Sequence, residues 1–159
     1  MIYVSNSTSR HRIDRRALEK SARTLLKGLG EDDASLSIAL VGDAAIRRLN
    51  RVYRGQDRAT DVLSFPLAAV RRRRTKGGIE RLLGDVVISL DRAAVQAAAY
   101  DATLAAEVRR LLIHGILHLL GHDHQAARER ARMTGQERRL AALIGLQWPY
   151  PDSASERAR

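Results

Sequence analysis

The sequence predicts an α+β fold, similar to the α/β type, with one mixed sheet of about four strands and a central, buried histidine helix. Two observations lead to this prediction. Short apolar runs alternate with stretches in which apolar residues recur at helical spacing. The run over residues 111–120 is apolar on nearly every side, as in a helix covered by other elements. We expect one domain over residues 1–150 and a disordered tail over residues 151–159.

The first half of the chain is predicted to alternate strands and helices. Residues 2–4 and 36–41 have the apolar character of strands. One helix begins at Asp14, a second spans residues 42–55, and glycines end both. The apolar stripes are Leu18, Ala22, Leu25 and Leu29 in the first helix, and Ile46, Leu49 and Val52 in the second.

The second half is predicted to hold two more strands and three helices. The strands cover residues 61–66, ending at the proline, and residues 84–89. The arginine-rich residues 71–78 between them form a mobile loop, either a solvated charge run or an arm that contacts phosphates. Ser89 or Asp91 caps the next helix. The three helices are expected over residues 90–100, from residue 104 through the apolar run, and over residues 126–146.

The charge of the chain favours an anionic partner. Lysine and arginine total 28 against 18 acidic residues, a net charge of +10. Such an excess favours nucleic acid, although many small basic proteins carry a similar charge without binding it specifically. Aromatic residues make up only 4% of the chain, so we expect few stacking surfaces and little recognition of individual bases.

The sequence predicts a cytoplasmic protein without a membrane span. No apolar run reaches the roughly 18 residues that a span needs, and the amino terminus lacks the pattern of a signal peptide. The absence of cysteine agrees with a cytoplasmic location. It also leaves histidine and carboxylate side chains to hold any metal.

Four of the five histidines lie within residues 114–124 and predict a metal site. His114 and His118 are four residues apart, so they project from one helix face about 6 Å apart along the axis. Gly121 is expected to end the helix, so that His122 or His124 can return to the same ion. Three histidines with an open position are typical of catalytic zinc. The alternative is a core helix with incidental histidines.

A glycine follows the first of these histidines, which argues against a peptidase. Zinc peptidases carry His-Glu-x-x-His, in which the glutamate is the general base. Gly115 occupies that position here and cannot take a proton. It leaves room beside the ion for a substrate or a neighbouring side chain. The fifth histidine, His11, lies in a basic stretch and is expected to be solvated.

Residues 114–124 read His-Gly-x-x-His-Leu-x-Gly-x-Asp-His and resemble the signature of the YbeY family of bacterial metal-dependent endoribonucleases. Residues 50–55, Asn-x-x-Tyr-Arg-Gly, and residues 60–66, Thr-Asp-Val-Leu-Ser-Phe-Pro, resemble further segments of that family. The resemblance covers most of residues 36–146. It implies that His114, His118 and His124 bind the metal and that Arg54 is functionally important. His122 stands where the family usually has tyrosine, so it remains a competing ligand.

The resemblance implies a single-strand-specific, metal-dependent endoribonuclease. Its expected role is maturation of the 3′ end of small-subunit rRNA and ribosome quality control in the cytoplasm. The expected partners are single-stranded rRNA and the ribosomal particle or its associated proteins. Zinc, one ion per chain, is the default for three histidines, and another transition metal remains an alternative.

The chemistry expected at this site is metal-assisted hydrolysis of RNA. The ion would activate a water or polarise the scissile phosphate, and the attacking group is water or the RNA 2′-hydroxyl. Arg54 would hold a phosphate bidentately and stabilise the charge that builds on it. Asp123, beside a ligand, would orient an imidazole or act as a base, and the first role is preferred. Asp85 and Ser64 are expected to stabilise the fold or to support the ligands, rather than to take part in catalysis.

Two other functions are compatible with the sequence. The first is a non-catalytic RNA-binding ribosome-assembly factor in which the metal only stabilises the fold. The second is a small zinc metallopeptidase, despite Gly115. The preferred interpretation of residues 1–150 is a metallohydrolase domain.

Overall fold

The computed structural model describes residues 1–122 and 126–148, which contain five helices and one four-stranded mixed sheet. The predicted α+β class is confirmed. The predicted tail over residues 151–159 lies outside the described residues. None of the described helices is long and apolar enough to cross a membrane. In chain order the elements are β1 (Ile2–Asn6), α1 (Arg15–Gly28), β2 (Ala34–Val41), α2 (Asp43–Arg54), β3 (Val62–Thr75), β4 (Gly78–Ser89), α3 (Leu90–Ala99), α4 (Leu104–Leu119) and α5 (Ala127–Leu143).

The sheet separates two apolar layers. Its order is β1-β2-β4-β3, with β1, β2 and β4 parallel and β3 antiparallel to β4 at the edge. Because side chains alternate along a strand, Val86 and Ile88 belong to the main core with α1, α4 and α5. Val41 and Val87 instead pack with Ile46 of α2 in a smaller cluster. Helices α4 and α2 therefore cover opposite faces of the sheet.

The arginine-rich stretch predicted as a mobile loop is instead part of a β-hairpin. Strand β3 continues through Pro66, and its last residues pair with the start of β4, with Arg71 opposite Leu82 and Thr75 opposite Gly78. Proline is compatible with this strand because β3 is an edge strand and the pairing shifts register after Pro66. The prediction was wrong because a polar sequence can satisfy its backbone by pairing with a partner strand, which local composition does not show.

Helix α4 has the predicted central position, in contact with α1, α3, α5, β3 and β4. Gly115 allows this helix to approach the sheet closely. A Cβ at this position would lie 2.6 Å from Cγ1 of Val86 and 3.3 Å from Oγ of Ser64. The space that the sequence predicts beside Gly115 is therefore taken by a neighbouring side chain of β4 rather than by a substrate.

Helix α4 ends where the glycine predicts. Gly121 has a φ of +91°, the left-handed conformation that favours glycine. Its N–H donates to the carbonyl of His118 at 3.0 Å, and the N–H of His122 donates to the carbonyl of Leu117 at 3.0 Å. This pair of hydrogen bonds is the Schellman motif that closes many helices. The chain thus leaves the helix within three residues of His118.

The buried face of α2 differs from the predicted stripe. Ile46 is buried, but Val52 is 63% exposed. Six residues of helix turn through about 600°, which places Val52 about 120° away from Ile46 around the axis. Asn50 is buried instead, and its amide donates to the carbonyl of Arg58 at 2.9 Å. By the same periodicity, Tyr53, seven residues after Ile46, lies on the same side of the helix as Ile46.

Two aspartates tie α2 to α3 at their amino-terminal ends. Ser89 is the N-cap of α3 and accepts from the backbone N–H of Arg92 at 3.2 Å. Asp91, the other predicted cap, accepts from the backbone N–H of Asp43 at 2.9 Å and so caps α2. That hydrogen bond holds the pKa of Asp91 below its usual value. His11 lies 3.0 Å from Asp91 Oδ1, so the prediction that His11 is solvated was wrong.

Candidate functional site

Two of the three predicted metal ligands lie side by side. The Nε2 atoms of His114 and His118 are 2.9 Å apart, and the ring centroids are 4.4 Å apart at an angle of 63°. Their four-residue spacing on α4 causes this convergence, since it places both side chains on one helix face. His114 is buried and His118 is half-buried. The pair therefore sits where the core meets the surface.

The third predicted ligand, His124, and the predicted orienting residue, Asp123, lie outside the described residues. His122 is half-buried, and its backbone N–H completes the end of α4. Within residues 1–122 and 126–148, no group of three histidine or carboxylate side chains is placed to hold a metal. The three-histidine ligand set accordingly remains a prediction.

Sequence reasoning missed that Glu137 lies beside the histidine pair. It lies on α5, is buried, and places Oε2 3.6 Å from Nδ1 of His114. That separation is within ion-pair reach but longer than a hydrogen bond. The available signal was its position in the buried stripe of α5, where a carboxylate is unusual without a partner. The other buried residues of that stripe are Met133, Leu140 and Ala141.

Arg54 is held at the end of α2 by two contacts to β3. Its Nη2 donates to the backbone carbonyl of Ser64 at 2.6 Å, and its guanidinium carbon lies 5.5 Å from the ring centroid of Phe65. Gly55 ends the helix at a φ of +68°, as predicted. A guanidinium has five N–H donors, so the contact with Ser64 leaves others to bind an anion.

Ser64 connects Arg54 to the histidine helix. Its hydroxyl donates to the carbonyl of Gly115 at 2.9 Å, while its own carbonyl accepts from Arg54. Because Gly115 directly follows His114, this chain of hydrogen bonds fixes the arginine relative to the histidine pair. The predicted structural role of Ser64 agrees with these contacts.

The histidine pair and Arg54 line one cleft with a volume of about 380 Å³. The carboxylate of Asp61 in this cleft accepts from the backbone N–H of Val62 at 2.8 Å and from the amide of Gln96 at 3.1 Å, so it is held by the fold. The imidazoles of His114 and His118 and the guanidinium of Arg54 line this cleft, so they can face a negatively charged ligand. Its walls are formed by Asn50, Arg54, Gln56, Arg58, Thr60, Asp61, Val62, Leu63, Ser64, Pro66, His114 and His118.

The α+β fold thus carries a cleft whose imidazole and guanidinium groups suit an anionic ligand. The sequence model described as Endoribonuclease YbeY matches residues 3–145. The chain belongs to the endoribonuclease YbeY family, as the resemblance predicted, and the enzyme class of nuclease is confirmed with it.

Individual relatives agree with this assignment. The chain is 47% identical over 145 residues to an endoribonuclease YbeY of Anaeromyxobacter sp. (strain Fw109-5), covering 91% of this chain and 72% of the relative. It is 39% identical over 149 residues to that of Geobacter sulfurreducens, covering 90% and 95%. It is 50% identical to that of Myxococcus xanthus but spans only 44% of that protein. The solution structure of TM1509 from Thermotoga maritima matches with a TM-score of 0.60 at 26% identity, covering 91% and 89%.

Proposed function

We propose that this protein cuts single-stranded RNA with the help of a metal ion held by His114, His118 and His124. We further propose that its substrate is the 3′ end of small-subunit rRNA, that it takes part in ribosome quality control in the cytoplasm, and that residues 1–150 act as one metallohydrolase domain. One observation carries the proposal: two imidazole nitrogens 2.9 Å apart share a cleft with Arg54. The net charge of +10 and the family's nuclease activity support RNA as the substrate.

The donor atoms fit a transition-metal ion. A tetrahedral zinc bound at 2.0–2.1 Å by two nitrogens requires them to be about 3.3 Å apart. The observed separation of the two Nε2 atoms is 2.9 Å, a difference that small rotations of the rings remove. His124 would be the third ligand, which leaves an open position. Zinc is the default ion for such a donor set, and other transition metals also accept imidazole.

The residues of the chain have separable roles in this proposal. When bound, the ion would supply Lewis-acid chemistry, by polarising the phosphate or activating a water. Arg54 donates N–H groups to the non-bridging phosphate oxygens and stabilises the negative charge that builds during cleavage. The carboxylate of Glu137, 3.6 Å from Nδ1 of His114, would attract a proton to Nδ1 and so leave the Nε2 lone pair directed at the site.

The position of Glu137 leads to a prediction about metal affinity. Glu137→Ala is expected to weaken metal binding about 10- to 100-fold, because His114 loses the group that sets its tautomer and orientation. Glu137→Gln, which keeps the size of the side chain but not its charge, should recover only part of this loss. Competition with a chromophoric chelator measures the affinity on folded protein. The matched control is Glu129→Ala, on the exposed first turn of the same helix. Wild-type affinity in Glu137→Ala would remove this role.

Ribosome association is proposed on the sparse aromatic content of the chain. With only 4% aromatic residues, the chain has few surfaces for recognising a base sequence, so the ribosomal particle or an associated protein would select the cleavage site.

A peptidase is disfavoured by packing as well as by sequence. A side chain at position 115 would collide with Val86, so this position cannot carry the base that zinc peptidases use.

The substrate class is tested with purified, metal-loaded protein and three substrates. We expect cleavage within a single-stranded RNA, at least about tenfold slower cleavage of a duplex of the same sequence, and no cleavage of casein. The proposed reason is that a flexible single strand can bring a phosphate into the cleft lined by Arg54 and the histidines of α4. Equal rates on duplex would contradict single-strand specificity. A folded, metal-loaded protein that binds RNA but cuts none of the three would favour the assembly-factor alternative.

A further inference from the structure

We propose that Tyr53 is a stacking site for a nucleobase of the RNA strand whose phosphate lies at Arg54. This inference rests on the proposed function and deepens it, because it assigns a base-binding group to a cleft otherwise defined by imidazole and guanidinium groups. The sequence predicts few stacking surfaces, and this inference places one of the few aromatic rings of the chain next to the site.

The ring of Tyr53 is exposed although it lies on the sheet-facing side of α2. It belongs to the last turn of the helix, beside the edge strand β3, and its residue is 66% exposed. Its ring packs against Phe65 at a centroid distance of 5.4 Å and an angle of 68°. In such an edge-to-face pair only one face or one edge of each ring is covered. At least one face of Tyr53 is therefore not covered by Phe65, while that contact restricts the orientation of the ring.

Phe65 links this ring to the cleft. The guanidinium of Arg54 lies 5.5 Å from the Phe65 centroid, so Tyr53 and Arg54, adjacent in sequence, both contact the same aromatic side chain. Arg54 also lines the cleft with His114 and His118. A strand whose phosphate binds Arg54 thus has an aromatic surface one residue away.

The surrounding charge fits a nucleotide better than an apolar partner. Four arginines occupy α2 within two turns of Tyr53, and all are exposed. One of them, Arg47, pairs with Asp57 at 2.9 Å. The excess of positive charge attracts the backbone of a nucleic acid, while the ring accepts any base because every base has a π face. The four are Arg47, Arg48, Arg51 and Arg54.

The test uses binding, so that it does not depend on turnover. The probe is a short single-stranded RNA with 2′-O-methyl and phosphorothioate groups, which resists cleavage, added to metal-loaded protein and followed by fluorescence anisotropy. Tyr53→Ala is expected to weaken binding about 5- to 150-fold, and Tyr53→Phe to retain wild-type affinity. Val95→Ala removes a side chain of similar exposure on α3 and serves as the matched control.

A second set of probes separates stacking from a structural role. One abasic nucleotide is moved along the RNA, position by position. At one position it should weaken binding to the wild type and to Tyr53→Phe, but cause no further loss in Tyr53→Ala. An equal additional loss in Tyr53→Ala would mean that this ring only supports Phe65, and would overturn the inference. Wild-type affinity of Tyr53→Ala for the RNA probe would also overturn the inference.

The outcomes distinguish this inference from the proposed function. If the wild type cuts single-stranded RNA and Tyr53→Ala binds the probe as well as the wild type does, only the stacking site is lost. If the wild type neither binds nor cuts single-stranded RNA, both proposals fail.

Discussion

His114→Ala is expected to lose both bound metal and RNA cleavage. Its Nε2 lies 2.9 Å from that of His118, so its removal leaves one imidazole of the described pair. The loss of metal affinity should exceed the 10- to 100-fold that removal of an outer partner costs, and cleavage should fall at least about 100-fold. Elemental analysis of the purified variant and a cleavage assay on the same preparation measure the two effects.

The His114 variant also leaves the buried carboxylate of Glu137 without the imidazole that lies 3.6 Å away, which should lower the stability of the fold. Circular dichroism must therefore show that the protein is folded. His11→Ala is the matched control, because His11 pairs with Asp91 and does not line the cleft. This control should retain metal and cleavage. Wild-type metal content in a folded His114→Ala protein would rule out His114 as a ligand.

Arg54→Glu is expected to retain metal and lose cleavage. The guanidinium lines the cleft but contacts Ser64 and Phe65 rather than the histidines, so reversing its charge should affect the phosphate and not the ion. Loss of one preorganised donor at a developing charge typically costs 10²–10³-fold in rate, and repulsion should add to this. Arg54→Lys should be intermediate, because lysine retains the charge but cannot bind a phosphate bidentately.

Arg48→Glu provides the control for net charge. Arg48 is exposed on the same helix and does not line the cleft. The substitution Arg48→Glu changes the net charge of the protein by the same amount as Arg54→Glu. We expect its effect to fall mainly on KM and to shrink at high salt, whereas that of Arg54→Glu should persist in kcat. Equal, salt-sensitive losses in the two variants would reduce Arg54 to one of many surface charges.

The elements that the sequence predicted well are those with local signals. The ends of α2 and α4 follow from Gly55 and Gly121, whose positive φ angles favour glycine. The meeting of His114 and His118 follows from helical periodicity alone. These features depend on residues a few positions apart, which the sequence displays directly.

The features that sequence reasoning missed depend on tertiary contacts. Residues 71–75 form one strand of a hairpin because they pair with residues 78–82 of β4. The composition of this polar segment resembles that of a loop, so the sequence alone did not show the pairing. The contact of Glu137 with His114 exists because α5 packs against α4, and the contact of His11 with Asp91 joins residues 80 positions apart. The connection from Arg54 through Ser64 to Gly115 is of the same kind, so family resemblance rather than periodicity singled out Arg54.

The most direct measurement is the rate of single-stranded RNA cleavage as metal is returned, in known equivalents, to protein stripped of metal and checked by elemental analysis. We expect no cleavage at the start, a rise in proportion to added metal, and a plateau at one ion per chain. The same titration of His114→Ala should give no rise. Full cleavage by the metal-free wild type would contradict a metal-dependent nuclease centred on His114 and His118.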